Sequence, residues 1–183
     1  MLPRIEGYAI VSREGMIAEA DGSFPKGLFV PADQRHYRSS LARASGVVNG
    51  RYSTEVESQE KDRKRLVLTR RVAGLAPHPR RPAAVLWNPA GASFEAAWDR
   101  LGGGGTAAVL GGTGVFALFL DEIGYDFFYL SRTSARVQNG RPIFPGVGQA
   151  VRPEDVLRRK GYTVRETRVL DAATGTILQE WSR

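Results

Sequence analysis

Residues 106–120 constrain this chain more than any other stretch. A short, almost wholly apolar run, Thr106-Ala-Ala-Val-Leu110, leads into Gly111-Gly-Thr-Gly114 and then into Val115-Phe-Ala-Leu-Phe-Leu120. The first piece has the pattern of a strand buried on both faces, and the last predicts a helix. Glycines between the two let a ligand approach the backbone closely and make unusual backbone angles cheap. The first N–H groups of the helix lack internal partners and sit at the positive end of its dipole. Such a bend can hold a phosphate or pyrophosphate. It also serves, with no ligand, as a tight strand-to-helix turn. The spacing is not the dinucleotide fingerprint G-x-G-x-x-G, because position 117 is Ala117, and no Lys-Ser/Thr follows as a P-loop requires.

Composition narrows the chemistry. The chain has no cysteine, which excludes disulfides, a thiolate nucleophile and a cysteine-based metal site. Its two histidines, His36 and His78, form no metal-binding spacing, so no metal is expected. The formal net charge is +7. The basic residues are scattered and no nucleic-acid-binding motif is visible. A phosphorylated small molecule therefore ranks above nucleic acid as the source of that charge. No apolar run reaches the ~20 residues of a membrane span, and the N-terminus lacks a signal-peptide pattern. A cytoplasmic location is the expectation by elimination. At 183 residues the chain reads most simply as one domain, residues 1–183.

Residues 5–11 predict a first buried strand, 12–15 a turn, and 16–18 a brief extended piece. The helix expected over 31–45 starts at a proline suited to a first turn, with Gln34, Tyr37, Leu41 and Ala44 at helical spacing. Residues 46–48 predict a second strand ending in Gly50-Arg51. Ser53 or Thr54 would cap the turn that follows. Strands are expected over 66–68, 83–87 and 125–130, a helix capped by Ser93 over 94–101, and a helical turn over 153–160. Residues 74–82 and 142–145 read as loop. The chain closes with a hairpin, 162–171 against 176–181. Strand and helix alternate through the first two-thirds, so the fold class is α/β, a mostly parallel central sheet with an antiparallel C-terminal hairpin.

Several motifs fall together in a known order. Ser12-Arg-Glu-Gly-Met-Ile-Ala with Asp21-Gly22, Val47-Val-Asn-Gly-Arg51-Tyr-Ser-Thr-Glu55, Leu66-Val-Leu-Thr-Arg70, Val109-Leu-Gly-Gly112 and Phe128-Tyr-Leu-Ser131 resemble the dihydrofolate reductase superfamily. The opening loop resembles the riboflavin-biosynthesis reductase branch most, with Glu14 where that branch has Asp. The likeness runs over residues 5–144 and more weakly to the end.

This resemblance implies a three-layer reductase fold, NADPH as cofactor and a heterocyclic small-molecule substrate of pyrimidine or pteridine type. It places the cofactor at Gly50, Arg51, Ser53, Thr69 and Arg70, and along Gly111, Gly112, Thr113, Gly114 and Val115. It places the substrate at Asp33, Tyr37, Arg63 and Ser131, with Asp33 as the catalytic carboxylate. Arg51 has a planar fork suited to a 2′-phosphate, though a surface cation would read the same. Asp33 equally suits a first helical turn through the dipole, and Arg63 lies in a basic run. The riboflavin-type branch also implies a homodimer. Phe24-Pro25-Lys26 stands where dihydrofolate reductase carries a loop tryptophan, which favours the riboflavin-type activity. Dihydrofolate reductase itself is the alternative, and a non-catalytic nucleotide- or nucleic-acid-binding protein the second.

Overall fold

A computed structural model describes residues 2–52 and 62–183. Eleven strands and four α-helices appear among them. In chain order the strands are β1 (Arg4–Val11), β2 (Met16–Ala18), β3 (Gly46–Gly50), β4 (Arg65–Leu68), β5 (Leu75–Pro77), β6 (Ala84–Trp87), β7 (Thr106–Gly111), β8 (Phe127–Arg132), β9 (Arg141–Pro142), β10 (Thr163–Asp171) and β11 (Thr176–Ser182). The helices are α1 (Pro31–Arg43), α2 (Phe94–Arg100), α3 (Thr113–Leu118) and α4 (Pro153–Arg159).

Nine strands form one sheet in the order β10-β11-β8-β1-β7-β3-β4-β6-β5. The six from β8 to β6 run parallel. The C-terminal hairpin joins antiparallel to β8. The apolar run singled out in the sequence is β7, between β1 and β3. Its Ala107, Ala108 and Val109 are fully buried, as helices on both faces of a parallel sheet require. A principal core joins β-strand aliphatics to Trp87, Phe94, Trp98, Phe116, Phe119 and Phe128. Ser93 caps α2 as expected, its Oγ accepting from the Ala96 N–H at 3.2 Å.

Four expectations shift. Within 74–82, read as loop, residues 75–77 form β5, antiparallel to β6 at the sheet edge. Within 142–145, Pro142 belongs to β9, which pairs with β2. The helix after the central glycines continues beyond Leu118 as a π-helical turn, Phe119–Ile123. The strand expected from Tyr125 begins at Phe127. Tyr125 is instead held in the core: its N–H donates to Tyr162 Oη at 2.8 Å and its hydroxyl to the Phe116 carbonyl at 3.2 Å. Ser53 and Thr54, expected to cap a turn, lie outside the described residues.

Candidate functional site

The parallel strands end along one rim of the sheet, where a cleft of about 1310 Å³ opens. Side chains and backbone from the ends of β1, β3, β4, β7 and β8 line it, with one face of α1. In open α/β sheets this rim is where ligands bind, at the point where the order of connections reverses. Here β1 and β3 are consecutive long strands of the sheet, yet β7 lies between them.

The two glycine bends are neighbours on that rim. Asn49 in β3 is in register with Gly111 in β7. A Cβ on Gly50 would lie 3.9 Å from the Gly111 carbonyl and 3.6 Å from Val115 Cγ2. Gly111 has φ +97°, and a Cβ there would come within 2.3 Å of the Phe116 ring. No other residue fits that position. Gly111 therefore sets the bend rather than lining the cleft. Gly112 is the N-cap of α3. Gly112 and Gly114 both line the cleft, and a Cβ on either would meet nothing within 4 Å. Space is open there, next to the first N–H groups of the helix. The Thr113 hydroxyl donates to the Pro142 carbonyl, tying the bend to β9.

Around this bend the cleft is cationic. Gly50, Arg51, Thr69 and Arg70 line it, with Val115 beside them. Arg71 joins them. Residues 69–71 lie past the end of β4, so the opposite-face rule for adjacent strand residues does not separate Arg70 from Arg71. The Arg51 guanidinium lies 4.3 Å from the centre of the Tyr52 ring and donates to its hydroxyl. Arginine stacked on an aromatic face keeps its charge while its fork is pre-oriented. Ser53 is outside the described residues.

The other half of the cleft holds Asp33, Tyr37 and Ser131. Asp33, in the first turn of α1, is only 7% exposed. Burial pushes its carboxyl group above the usual carboxylate range, and a hydrogen bond with the Ser131 side chain pulls it partly back. It is the sole carboxylate lining the cleft among the described residues. Arg63, expected on the substrate side, does not line the cleft. Its Nη1 donates to the Leu41 carbonyl at 2.6 Å, near the C-terminal end of α1. Helix-end carbonyls lack intrahelical partners and draw such donors.

Three aromatic residues beside Asp33 were not singled out from the sequence. Tyr8 and Tyr129 stack at 5.0 Å between ring centres, and His36 tilts against both. His36 lies three residues beyond Asp33 and thus on the same helix face, a spacing that could have flagged it. Burial holds its imidazole below the usual histidine range, with Arg168 and Arg43 adding to the effect and Glu6 opposing it. The Tyr8 hydroxyl donates to Glu6, and burial raises its pKa. Phe24 and Phe29 stand at the mouth, 51% and 60% exposed. Beneath the floor, fully buried Arg65 donates to Asn49 Oδ1 at 3.0 Å, fixing the end of β3. No group of three or more potential metal ligands gathers among the described residues. Nor is any described helix long and apolar enough to cross a membrane.

Neither a protein-family model nor a curated protein sequence matches this chain. Solved structures do. A protein described as a riboflavin biosynthesis protein from Shewanella sp. PV-4 superposes with a TM-score of 0.65 at 16% identity, covering 98% of both chains. Dihydrofolate reductase from Enterococcus faecalis, complexed with NADP(H), gives 0.64 at 16% identity over 98% of this chain and 96% of its own. The diaminohydroxyphosphoribosylaminopyrimidine deaminase/5-amino-6-(5-phosphoribosylamino)uracil reductase of Thermotoga maritima gives 0.61 at 17% identity. This chain is matched over 99% of its length and spans 56% of that protein. The chain therefore shares its fold with dihydrofolate reductase and with these riboflavin-pathway proteins, the α/β fold that the resemblance implied.

Proposed function

We propose that this protein is an NADPH-dependent reductase acting on a pyrimidine- or pteridine-type heterocycle, nearer in activity to the 5-amino-6-(5-phosphoribosylamino)uracil reductase than to dihydrofolate reductase. One observation carries the reading. Two glycine bends, the arginines Arg51, Arg70 and Arg71 beside them, and one buried carboxylate face the same cleft. The arrangement divides into a cationic half with open backbone and an aromatic half with a single acid.

The residues present fit a phosphorylated dinucleotide. Gly112 and Gly114 leave room for a diphosphate against the backbone N–H groups that open α3. Arg51, Arg70 and Arg71 supply the charge that a 2′-phosphate needs, with Thr69 as a hydroxyl donor beside them. NADPH, when bound, would supply the hydride. The chain's own part is placement and the proton. The stacked Tyr8 and Tyr129 with Tyr37 form an apolar wall against which a planar ring can lie. Asp33 holds a proton more readily than a surface carboxylate because it is buried. It can donate that proton, directly or through a water, to a ring nitrogen of the substrate. Ser131 keeps the carboxyl group in place.

NADPH binding is measured by energy transfer from the protein's three buried tryptophans to the cofactor, and turnover by NADPH consumption. The reading expects saturable binding and consumption with 5-amino-6-(5-phosphoribosylamino)uracil. Consumption with dihydrofolate, blocked by an antifolate, would favour dihydrofolate reductase instead. No NADPH binding at all would overturn both.

A further inference from the structure

Next to the aromatic wall of the substrate half stands a carboxylate that does not itself line the cleft. Glu6 lies two residues before Tyr8 on β1, and side chains of a strand alternate, so the two share a face. Its carboxylate is 13% exposed and has partners on both oxygens. Oε2 accepts from the Tyr8 hydroxyl, and Oε1 lies 2.7 Å from Arg4 Nε. The Ser40 side chain, on α1, hydrogen-bonds the same Tyr8 hydroxyl. Arg4 in turn hydrogen-bonds Tyr129 and lies 4.3 Å over the Phe127 ring. One carboxylate is thus tied to both members of the Tyr8–Tyr129 stack, to the first directly and to the second through Arg4.

Packing by itself does not hold these rings. Tyr8 and Tyr129 are direct neighbours in the β1–β8 register, with ring planes 10° apart. A second hollow, of about 290 Å³, is lined by Arg4, Glu6, Ser40 and Arg43. Tyr129 lines both this hollow and the cleft, so its ring has space on two sides. A close-packed side chain is fixed by its neighbours; one between two open spaces needs an anchor. A mostly buried ion pair is also a poor source of stability, because desolvating the carboxylate offsets much of the attraction. What the Glu6 network secures is geometry.

We propose that Glu6 is a positioning residue: through the Tyr8 hydroxyl, and through Arg4 to Tyr129, it fixes the tilt of the wall against which the substrate ring lies. This rests on the proposal that the aromatic half of the cleft receives a planar heterocycle. A tilted wall would carry that ring out of line with Asp33, and small displacements of a reacting group are costly.

Kinetics and fluorotyrosine NMR on the full chain test this, with a cooperative melting transition as the check that each variant is folded. Glu6→Ala should raise the KM for 5-amino-6-(5-phosphoribosylamino)uracil by about 10-fold or more, the scale of a hydrogen bond to a charged group. NADPH affinity should stay at the wild-type value. Glu6→Gln still offers an oxygen to the Tyr8 hydroxyl but no charge to Arg4, and should fall between Glu6→Ala and wild type. Tyr8→Phe keeps the ring and removes its hydroxyl. Added to Glu6→Ala it should cost little more, because both changes cut the same tether. Tyr8→Phe also identifies the Tyr8 resonance, which Glu6→Ala should shift. An unchanged KM, fully additive losses or an unmoved resonance would each overturn the proposal. The NMR measurement needs no turnover, so a wild type that consumes no NADPH would sink the reductase reading and leave the resonance to decide the role of Glu6.

Discussion

The Ser131 side chain, on β8, hydrogen-bonds the Asp33 carboxyl group in the first turn of α1. Both residues are buried at the cleft, 1% and 7% exposed. Two opposed influences meet in this pair. Loss of water raises the Asp33 pKa, while the hydrogen bond from the hydroxyl favours the ionised form, and the first is the larger.

The pair makes stability depend on pH. The folded-state pKa of Asp33 lies above its unfolded value, so the folded chain holds the proton more tightly. The stability this contributes is fully present below the unfolded carboxyl pKa and is lost as pH rises through the raised folded value. Asp33→Asn, which stays neutral, should therefore melt at a higher temperature than wild type at pH 7. The gap should close below about pH 4, where both states of the wild type are protonated. Melting curves across that range decide it; a gap independent of pH would contradict the argument.

Turnover should respond in the opposite direction. Removing a positioned acid lowers rate by about 10²–10⁴-fold. Asp33→Asn should show that loss in kcat with NADPH affinity nearly unchanged, since the cationic half of the cleft is untouched. Steady-state kinetics beside a cofactor titration separates the two effects. Equal activity would remove the proposed role.

Ser131→Ala removes the influence that lowers the Asp33 pKa. The acidic-group limb of the kcat/KM profile should move to higher pH, with only a modest change in rate at its plateau. A limb that stays in place would mean that a different group titrates.

The glycines of the central bend should separate by role. Gly111→Ala forces φ +97° on a residue with a Cβ and drives it to 2.3 Å from the Phe116 ring. A loss of about 1–3 kcal/mol from backbone strain alone is expected, and overpacking adds to it. Gly114→Ala meets open space and should leave the melting temperature within about 2 °C of wild type, the usual range for a harmless surface change. It should nevertheless weaken NADPH binding by filling the cradle. Melting and cofactor titration on both variants test the distinction.

Arg51→Ala and Arg70→Ala should each reduce the preference for NADPH over NADH by about 10-fold or more, the scale of a hydrogen bond to a charged group. NADH affinity should hardly change. An unaltered ratio in both variants would place the 2′-phosphate elsewhere.

Much of this architecture was legible in local pattern. The buried run at 106–110, the glycines that end β3 and β7, the helix that Asp33 opens and the closing hairpin each carry a periodicity or a turn residue that acts over a few positions. β5 and β9 were not legible, because strands of three and two residues bordered by prolines have no period to read. Tyr125 looked like the start of a strand because aromatic runs favour β structure; its hydrogen bonds to Tyr162 and Phe116 hold it in the core instead. Arg63 read as a ligand-facing cation, yet it binds the end of α1, because a basic run does not reveal which carbonyl lies near. His36, Tyr8 and Tyr129 are separated by as many as 121 positions and meet only across packed elements.

By itself the sequence determined the kinds of element and where the backbone must bend, since those follow from side-chain shape and polarity over short distances. Tertiary structure alone decided that β7 enters between β1 and β3. That insertion brings residues 33, 51, 69, 112 and 131 to one rim of the sheet. The physical reason is that strand order is chosen by burying apolar faces and pairing backbone groups between distant segments, interactions that leave no mark in any local stretch of the chain.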